Sequence, residues 1–185
     1  MKKLLITSLV LGSVLMAHQA AAKSPMDYSY AGIRYFDQRL DDADCSQDGL
    51  NIYGSLEINA DLFAIGSITD ASGNRNCGSE TMSAGIGYQT LFGADGSLYG
   101  TLSYENTSVD HGESDSGFVG AVGIRGFVAR ALEAKVEVAH HTAFDGNTVI
   151  NGGVVYWFNQ QFAATGDVGL GSDVSTIAVG LRMNF

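Results

Sequence analysis

The chain has 185 residues, with 20 acidic against 10 basic side chains and a formal net charge of −10. Such an acid surplus argues against nucleic acid or an acidic polymer as partner, because like charges repel before any contact forms. With 24 glycines and one proline, Pro25, nearly the whole chain is free to run as uninterrupted strands.

The first segment reads as an export leader. "MKK" is a basic start, "LLITSLVLGSVLMA" an apolar run, and "AHQAAA" a small-residue end with Ala20 and Ala22 at −3 and −1. This pattern predicts a secretory signal peptide at 1–22, cleaved after Ala22. The competing reading, a retained membrane anchor, calls for a longer apolar run. Residues 23–185 then form one domain, with 8 basic and 20 acidic residues and a balance of −12. No later stretch is apolar enough to span a bilayer as a helix.

From residue 27 onward, period-two alternation replaces any helical periodicity. It predicts ten strands, at 27–37, 48–59, 62–70, 79–91, 97–108, 117–129, 131–142, 148–158, 161–170 and 173–185. The third and ninth are the weakest, so eight strands is the alternative count. Most are long by the standard of soluble domains, where about 5–6 residues is the mode. They match instead the ~9–11 residues that a tilted strand needs to cross a bilayer. Long polar loops follow the first, third and fifth strands ("DQRLDDADCSQ", "DASGNRNCGSE", "SVDHGESDS"), with shorter ones after the seventh and ninth. Tight turns follow the second, fourth, sixth and eighth ("NAD", "FGADG", "AR", "NQ"). Turns on one rim and loops on the other fit a closed antiparallel transmembrane barrel with both termini in the periplasm.

Each strand then has two faces. The apolar one carries Leu50, Ile52, Leu56 and Ile58; Leu98, Leu102 and Tyr104; Leu132, Ala134, Val136 and Val138; and Ile177, Val179, Leu181, Met183 and Phe185. The polar one carries Asn51, Tyr53, Ser55 and Glu57; Tyr99, Thr101, Ser103 and Glu105; Glu133, Lys135 and Glu137; and Thr176, Arg182 and Asn184. In a membrane barrel the apolar set meets lipid and the polar set meets the lumen. A soluble β-sandwich would show the same alternation with the faces reversed. Strand length, loop parity and the terminal phenylalanine favour the barrel. Tyr88, Phe92, Tyr156 and Phe158 fall near the short-turn ends, as an interfacial girdle would.

The barrel reading makes Arg34, Glu57, Glu105, Arg125, Glu133, Lys135, Glu137 and Arg182 a lumenal ionic network. Eight or ten strands enclose a space largely filled by side chains, so these charges must pair or stay hydrated. They could give rigidity or mark a narrow solute path. Cys45 and Cys77 are the only cysteines. In an exported chain they are expected to form one disulfide between the first and second long loops, closing about 30 residues. Free thiols are the alternative, and neither cysteine has the neighbours of a zinc site.

Two further clusters were candidates for chemistry. His140 and His141, with Asp145 nearby, could serve a hydrolase only alongside a nucleophile within hydrogen-bond reach. Adjacent strand residues face opposite ways, so only one histidine could join a lumenal site. Asp41, Asp42, Asp44 and Asp48 in the first loop, and Asp110, Glu113 and Asp115 in the third, lack the spacing of a calcium hand. Solvated acidic loops are the simpler reading. Cation bridging from these carboxylates to lipopolysaccharide is a second.

The last strand, "STIAVGLRMNF", brings a family resemblance. Gly180, Met183 and Phe185 are similar to the C-terminal assembly signal of small Gram-negative outer-membrane β-barrel proteins, the group with OmpX-like and OmpA-like barrels. Ala178 stands where that group usually has a large polar residue. The resemblance implies an outer-membrane location, insertion by the barrel-assembly machinery, contact with outer-membrane lipid and lipopolysaccharide, and a monomer. No cofactor, catalytic site or metal is expected. The leading functional expectation is a non-enzymatic surface or structural role through acidic extracellular loops. A small pore or solute-binding barrel comes next, and a lipid- or peptide-cleaving enzyme last.

Overall fold

A computed structural model describes residues 26–40, 45–73, 77–110, 112 and 114–185. It contains ten strands: β1 (Tyr30–Leu40), β2 (Cys45–Glu57), β3 (Leu62–Gly73), β4 (Ser79–Phe92), β5 (Gly96–Val109), β6 (Ser114–Ala129), β7 (Leu132–His141), β8 (Asn147–Trp157), β9 (Phe162–Gly171) and β10 (Val174–Asn184). Each pairs antiparallel with its sequence neighbours, and β1 pairs with β10 from Tyr30↔Asn184 to Leu40↔Val174. The sheet is therefore closed, and no edge is left to recruit another chain. The two strands with the weakest sequence signal, β3 and β9, are full members of the wall at 12 and 10 residues.

The faces divide as the alternation requires. Leu181, Val122 and Ile86 are 59%, 62% and 61% exposed on the outside, whereas Glu133, Arg125 and Arg182 are 2%, 5% and 6% exposed inside. A sandwich would bury the first set. This molecule buries the second.

Room for large inward side chains comes from glycines directly across the ladder. Tyr53 lies over Gly32, Phe63 over Gly87 and Tyr99 over Gly123, and each pair is in register between adjacent strands. A Cβ on any of these glycines would strike the ring beside it. Here glycine weakens the local strand propensity but allows an aromatic ring to lie flat against the wall.

One rim carries the turns after β2, β4, β6 and β8 together with Met26 and Phe185; we call it the turn end. Two of its turns use the same device. Asn59 Oδ1 accepts from the amides of Asp61 and Leu62 at 3.0 and 2.9 Å. Asn159 Oδ1 accepts from Gln161 and Phe162 at 2.8 and 2.9 Å. An asparagine side chain thereby supplies the acceptor that a tight turn lacks. A register shift between Phe127 and Ala129 marks a bulge at the end of β6.

The opposite rim, the loop end, departs from the sequence expectation. Most of the polar stretch 37–47 is ladder, with Asp37↔Asp48, Gln38↔Gln47, Arg39↔Ser46 and Leu40↔Cys45 paired. Cys45 thus opens β2 rather than sitting in a loop, and Asp48 and Asp115 are strand residues. The outward side chains become polar where the apolar belt ends, but the backbone continues to gain ladder hydrogen bonds beyond it. At the other end of β1 the strand begins at Tyr30, and residues 26–29 turn inward instead. The leader region falls outside the described residues.

Candidate functional site

The lumen is the only place where this chain gathers charged groups away from bulk water among its described residues. Inward parity on β6, β7 and β10 brings Arg125, Glu133 and Arg182 together near the turn end. Glu133 Oε1 lies 2.8 Å from Arg125 Nε and 3.9 Å from Arg182 Nη1, and all three side chains are at least nine-tenths buried. Arg182 also donates from Nε to Asn184 at 3.0 Å and sits 3.9 Å from the ring centre of Tyr30. Two guanidinium groups around one carboxylate remain stable here because aromatic faces and carbonyl oxygens take up the rest of their positive charge.

A second charged rung lies at mid-height. Asp167 Oδ2 is 3.6 Å from Arg34 Nη1, and its Oδ1 is 3.4 Å from Lys135 Nζ. These groups are partly exposed to the lumen, so their pairing is looser than the first. Arg34 donates from Nε to Asn51 at 2.9 Å and lies over the Tyr53 ring at 4.9 Å. Glu137 accepts from Tyr99 Oη at 2.7 Å and from Asn151 Nδ2 at 3.3 Å. Towards the loop end, His141 Nδ1 stands 3.0 and 3.1 Å from the two Glu105 oxygens.

The structure thus brings Arg125, Glu133 and Arg182 into one cluster, and Arg34 and Lys135 into another. It leaves Glu105 and Glu137 with other partners. Glu57 faces inward near the turn end, where its backbone N–H donates to Ser29 Oγ at 3.2 Å. The sequence reading overlooked two members of the network, Asp167 and His141. Asp167 sits among small residues in β9, yet its spacing from Ala163 and Thr165 already placed it inward. For His141 the sequence supports an ordinary polar role at the rim, without naming Glu105 as its partner.

Residues 26–29 enter this space from the turn end. Met26 is 0% and Tyr28 2% exposed, packed with Phe63, Tyr99, Ile65 and Phe127. Tyr28 stacks on Phe63 at 4.4 Å, and its hydroxyl bonds Ser97 Oγ at 2.9 Å. The Asp27 carbonyl oxygen accepts from Arg125 Nη2 at 3.2 Å and from Arg182 Nη2 at 3.1 Å. Beside this segment is a cavity of about 550 Å³, bordered by Asp27, Arg125, Glu133, Trp157 and Asn184 among others. The buried Glu133 Oε2 and Trp157 Nε1 find no protein hydrogen-bond partner there. A cavity of this size, bordered by these polar side chains, admits the water that such groups need.

At the loop end, Cys45 and Cys77 form a disulfide with Cα atoms 6.6 Å apart. Cys45 is buried, and the Cys77 carbonyl accepts from the Gln47 side chain, whose Oε1 in turn accepts from Ser79 Oγ at 3.1 Å. The bridge thus binds the segment after β3 to the lumenal side of β2. His140 points outward to Thr148 Oγ1 at 2.9 Å, on the opposite face from His141. Asp41, Asp42, Asp44 and Glu113 lie outside the described residues. Among those described, no group of three or more acidic, histidine or cysteine side chains has a metal-holding arrangement. Asp115 Oδ2 accepts from Phe144 N at 2.7 Å and Oδ1 from Ser116 N at 2.8 Å. Those two N–H groups hold its carboxyl below the ordinary carboxylate pKa.

Gly180, Met183 and Phe185 line up along β10. Gly180 faces inward opposite Arg34, while Met183 and Phe185 face outward and are each 38% exposed. Phe185 N donates to Ser29 O at 3.2 Å, extending the seam that closes the barrel.

No protein-family model matches the chain, and no curated protein does either. Solved structures do. An outer membrane channel from Pseudomonas putida F1 is similar with a TM-score of 0.53 at 9% identity, over 91% of this chain and 100% of that one. The KdgM porin in complex with disordered oligogalacturonate gives 0.51 at 12% identity, over 83% and 99%. The NanC porin gives 0.50 at 5% identity, over 84% and 100%. At such identities the likeness is one of fold: a closed β-barrel of the outer-membrane type.

Proposed function

We propose that this chain is an outer-membrane barrel whose lumen is a narrow solute path, a small pore rather than a catalyst. The observation that carries the reading is the inversion of polarity: ionic and amide groups fill the interior while large apolar side chains cover the outside. Such an outer surface is stable in hydrocarbon, and such an interior holds water. The fold likeness to channels and porins supports the same reading. Outward Tyr88, Phe92, Tyr156 and Phe158 near the turn end suit an interfacial girdle at the periplasmic side. In this proposal Gly180, Met183 and Phe185 serve assembly, outer-membrane lipid and lipopolysaccharide surround a monomeric wall, and the leader at 1–22 is removed on export.

The test is single-channel recording in planar bilayers, with heat-modifiable gel migration as the check that the barrel is folded. Discrete current steps well below those of wide porins are expected. A folded but electrically silent protein would favour the second reading, a structural or surface role in the envelope. That reading has its own support in the acidic loop end, where Asp37 faces Asp48 and Asp70 faces Glu80 across the ladder.

A further inference from the structure

The turn-end mouth of the barrel is occupied by the chain's own residues 26–29, and the way they are held differs from the wall around them. They make no strand. Their outer anchor is Ser29, whose carbonyl takes the Phe185 amide and whose hydroxyl takes the Glu57 amide. Inside that anchor, Met26 and Tyr28 are buried against side chains from β3, β5 and β6. The Asp27 carbonyl is gripped by Arg125 and Arg182, which belong to β6 and β10. The segment therefore reaches several separate parts of the barrel circumference. Arg125 adds a contact over the Tyr28 ring at 4.5 Å.

These contacts are of a kind that can be given up as a unit. The segment joins the wall through Ser29 and Tyr30, where the paired register of β1 begins. Its polar partners have alternatives when it leaves: Arg125 and Arg182 keep Glu133, and Ser97 Oγ keeps Gln89 Oε1 at 3.0 Å. The cavity of about 550 Å³ next to Asp27 gives the segment somewhere to move. From this we infer that residues 26–29 are an internal gate, which closes the turn-end mouth when Tyr28 and the Asp27 carbonyl are seated and opens the lumen when they are not. The inference rests on the pore reading and specifies how that pore is regulated.

The experiment compares the wild-type protein with the double variant Met26→Gly, Tyr28→Gly, leaving Ser29 and all strands intact. Heat-modifiable migration establishes that both are folded. Removing one aliphatic and one aromatic anchor moves a closed-to-open equilibrium by roughly tenfold or more, so open probability in planar bilayers should rise by about that factor. The chain has a single tryptophan, Trp157, and it borders the same cavity. Its quenching by acrylamide should rise with the open probability. Should the double variant fail to fold, Tyr28→Leu is the milder substitute, with a smaller increase in both readouts. Equal, non-zero conductance in wild type and folded variant would overturn the gate while leaving the pore standing. Silence in both would overturn the pore, and the gate with it, whatever the quenching shows.

Discussion

The two ends of the lumen solve the same electrostatic problem differently. At the turn end, Arg125, Glu133 and Arg182 are more than nine-tenths buried and surrounded by the rings of Tyr28, Tyr30 and Trp157. At the loop end, His141 and Glu105 form a pair beside open rim, with the histidine side chain 36% exposed. Opposite charges attract strongly where the dielectric is low, but each charge also costs most there if its partner is lost. The first cluster should therefore be brittle and the second forgiving. The same contrast separates rigidity from adaptability along one continuous wall.

The largest expected effect comes from breaking the buried cluster. Glu133→Gln leaves two buried guanidinium groups without their carboxylate and should cost about 3–5 kcal/mol. The readout is the urea midpoint for loss of the heat-modifiable form in detergent. If the cost falls below that of a surface ion pair, the turn end is wetter than its burial implies. Next is the outer belt, on which both ends depend. Leu181→Arg, on the outward face midway along the apolar run of β10, should cost ~2–4 kcal/mol in lipid vesicles. A soluble sandwich would not show that dependence on lipid.

A disulfide closing 32 residues contributes on the order of 3 kcal/mol by restricting the unfolded chain. Cys45→Ser with Cys77→Ser, or reduction of the wild type, should destabilise the fold by the same amount, read as a fall in the thermal midpoint of roughly 6–12 °C. Smaller still is His141→Ala, expected to cost about 0–1 kcal/mol, since water can replace the hydrogen bond of a partly exposed imidazole. A penalty as large as that of Glu133→Gln would erase the contrast between the two ends.

The smallest effect is local and pH-dependent. Asp115 has its carboxyl pKa lowered by the Phe144 and Ser116 amides. A lowered folded-state pKa means that its contribution is complete above the unfolded value of about 3.9 and disappears as pH falls through the lower folded value. Protection of the Phe144 amide relative to its intrinsic exchange rate should therefore persist through mildly acidic pH and fall only below that range. Asp115→Asn should remove the acid-induced loss of protection. A loss of protection already near neutral pH would show that another group ties down this rim.

Part of this molecule could be read without coordinates. Strict alternation identified the ten strands and both faces, because side-chain direction in a strand has a fixed period of two. The inward parity of Arg34, Lys135 and Glu133 followed from the same rule, and so could that of Asp167. Strand ends at the loop rim were misread, because a ladder in water needs backbone pairing but no apolar face. Polarity in "DQRLDDADCSQ" recorded where the outer belt stops, not where the strands do.

What the sequence determined alone was local and periodic: strand after strand, one face apolar and one polar, with turns where asparagine and glycine permit them. Tertiary structure decided which charge meets which, because closing ten strands into a tube sets cations from β1 and β7 around one carboxylate of β9. It also decided the path of residues 26–29. Their alternation would fit a first strand as well, and only the space left by inward glycines, with two arginines awaiting an acceptor, draws them into the lumen.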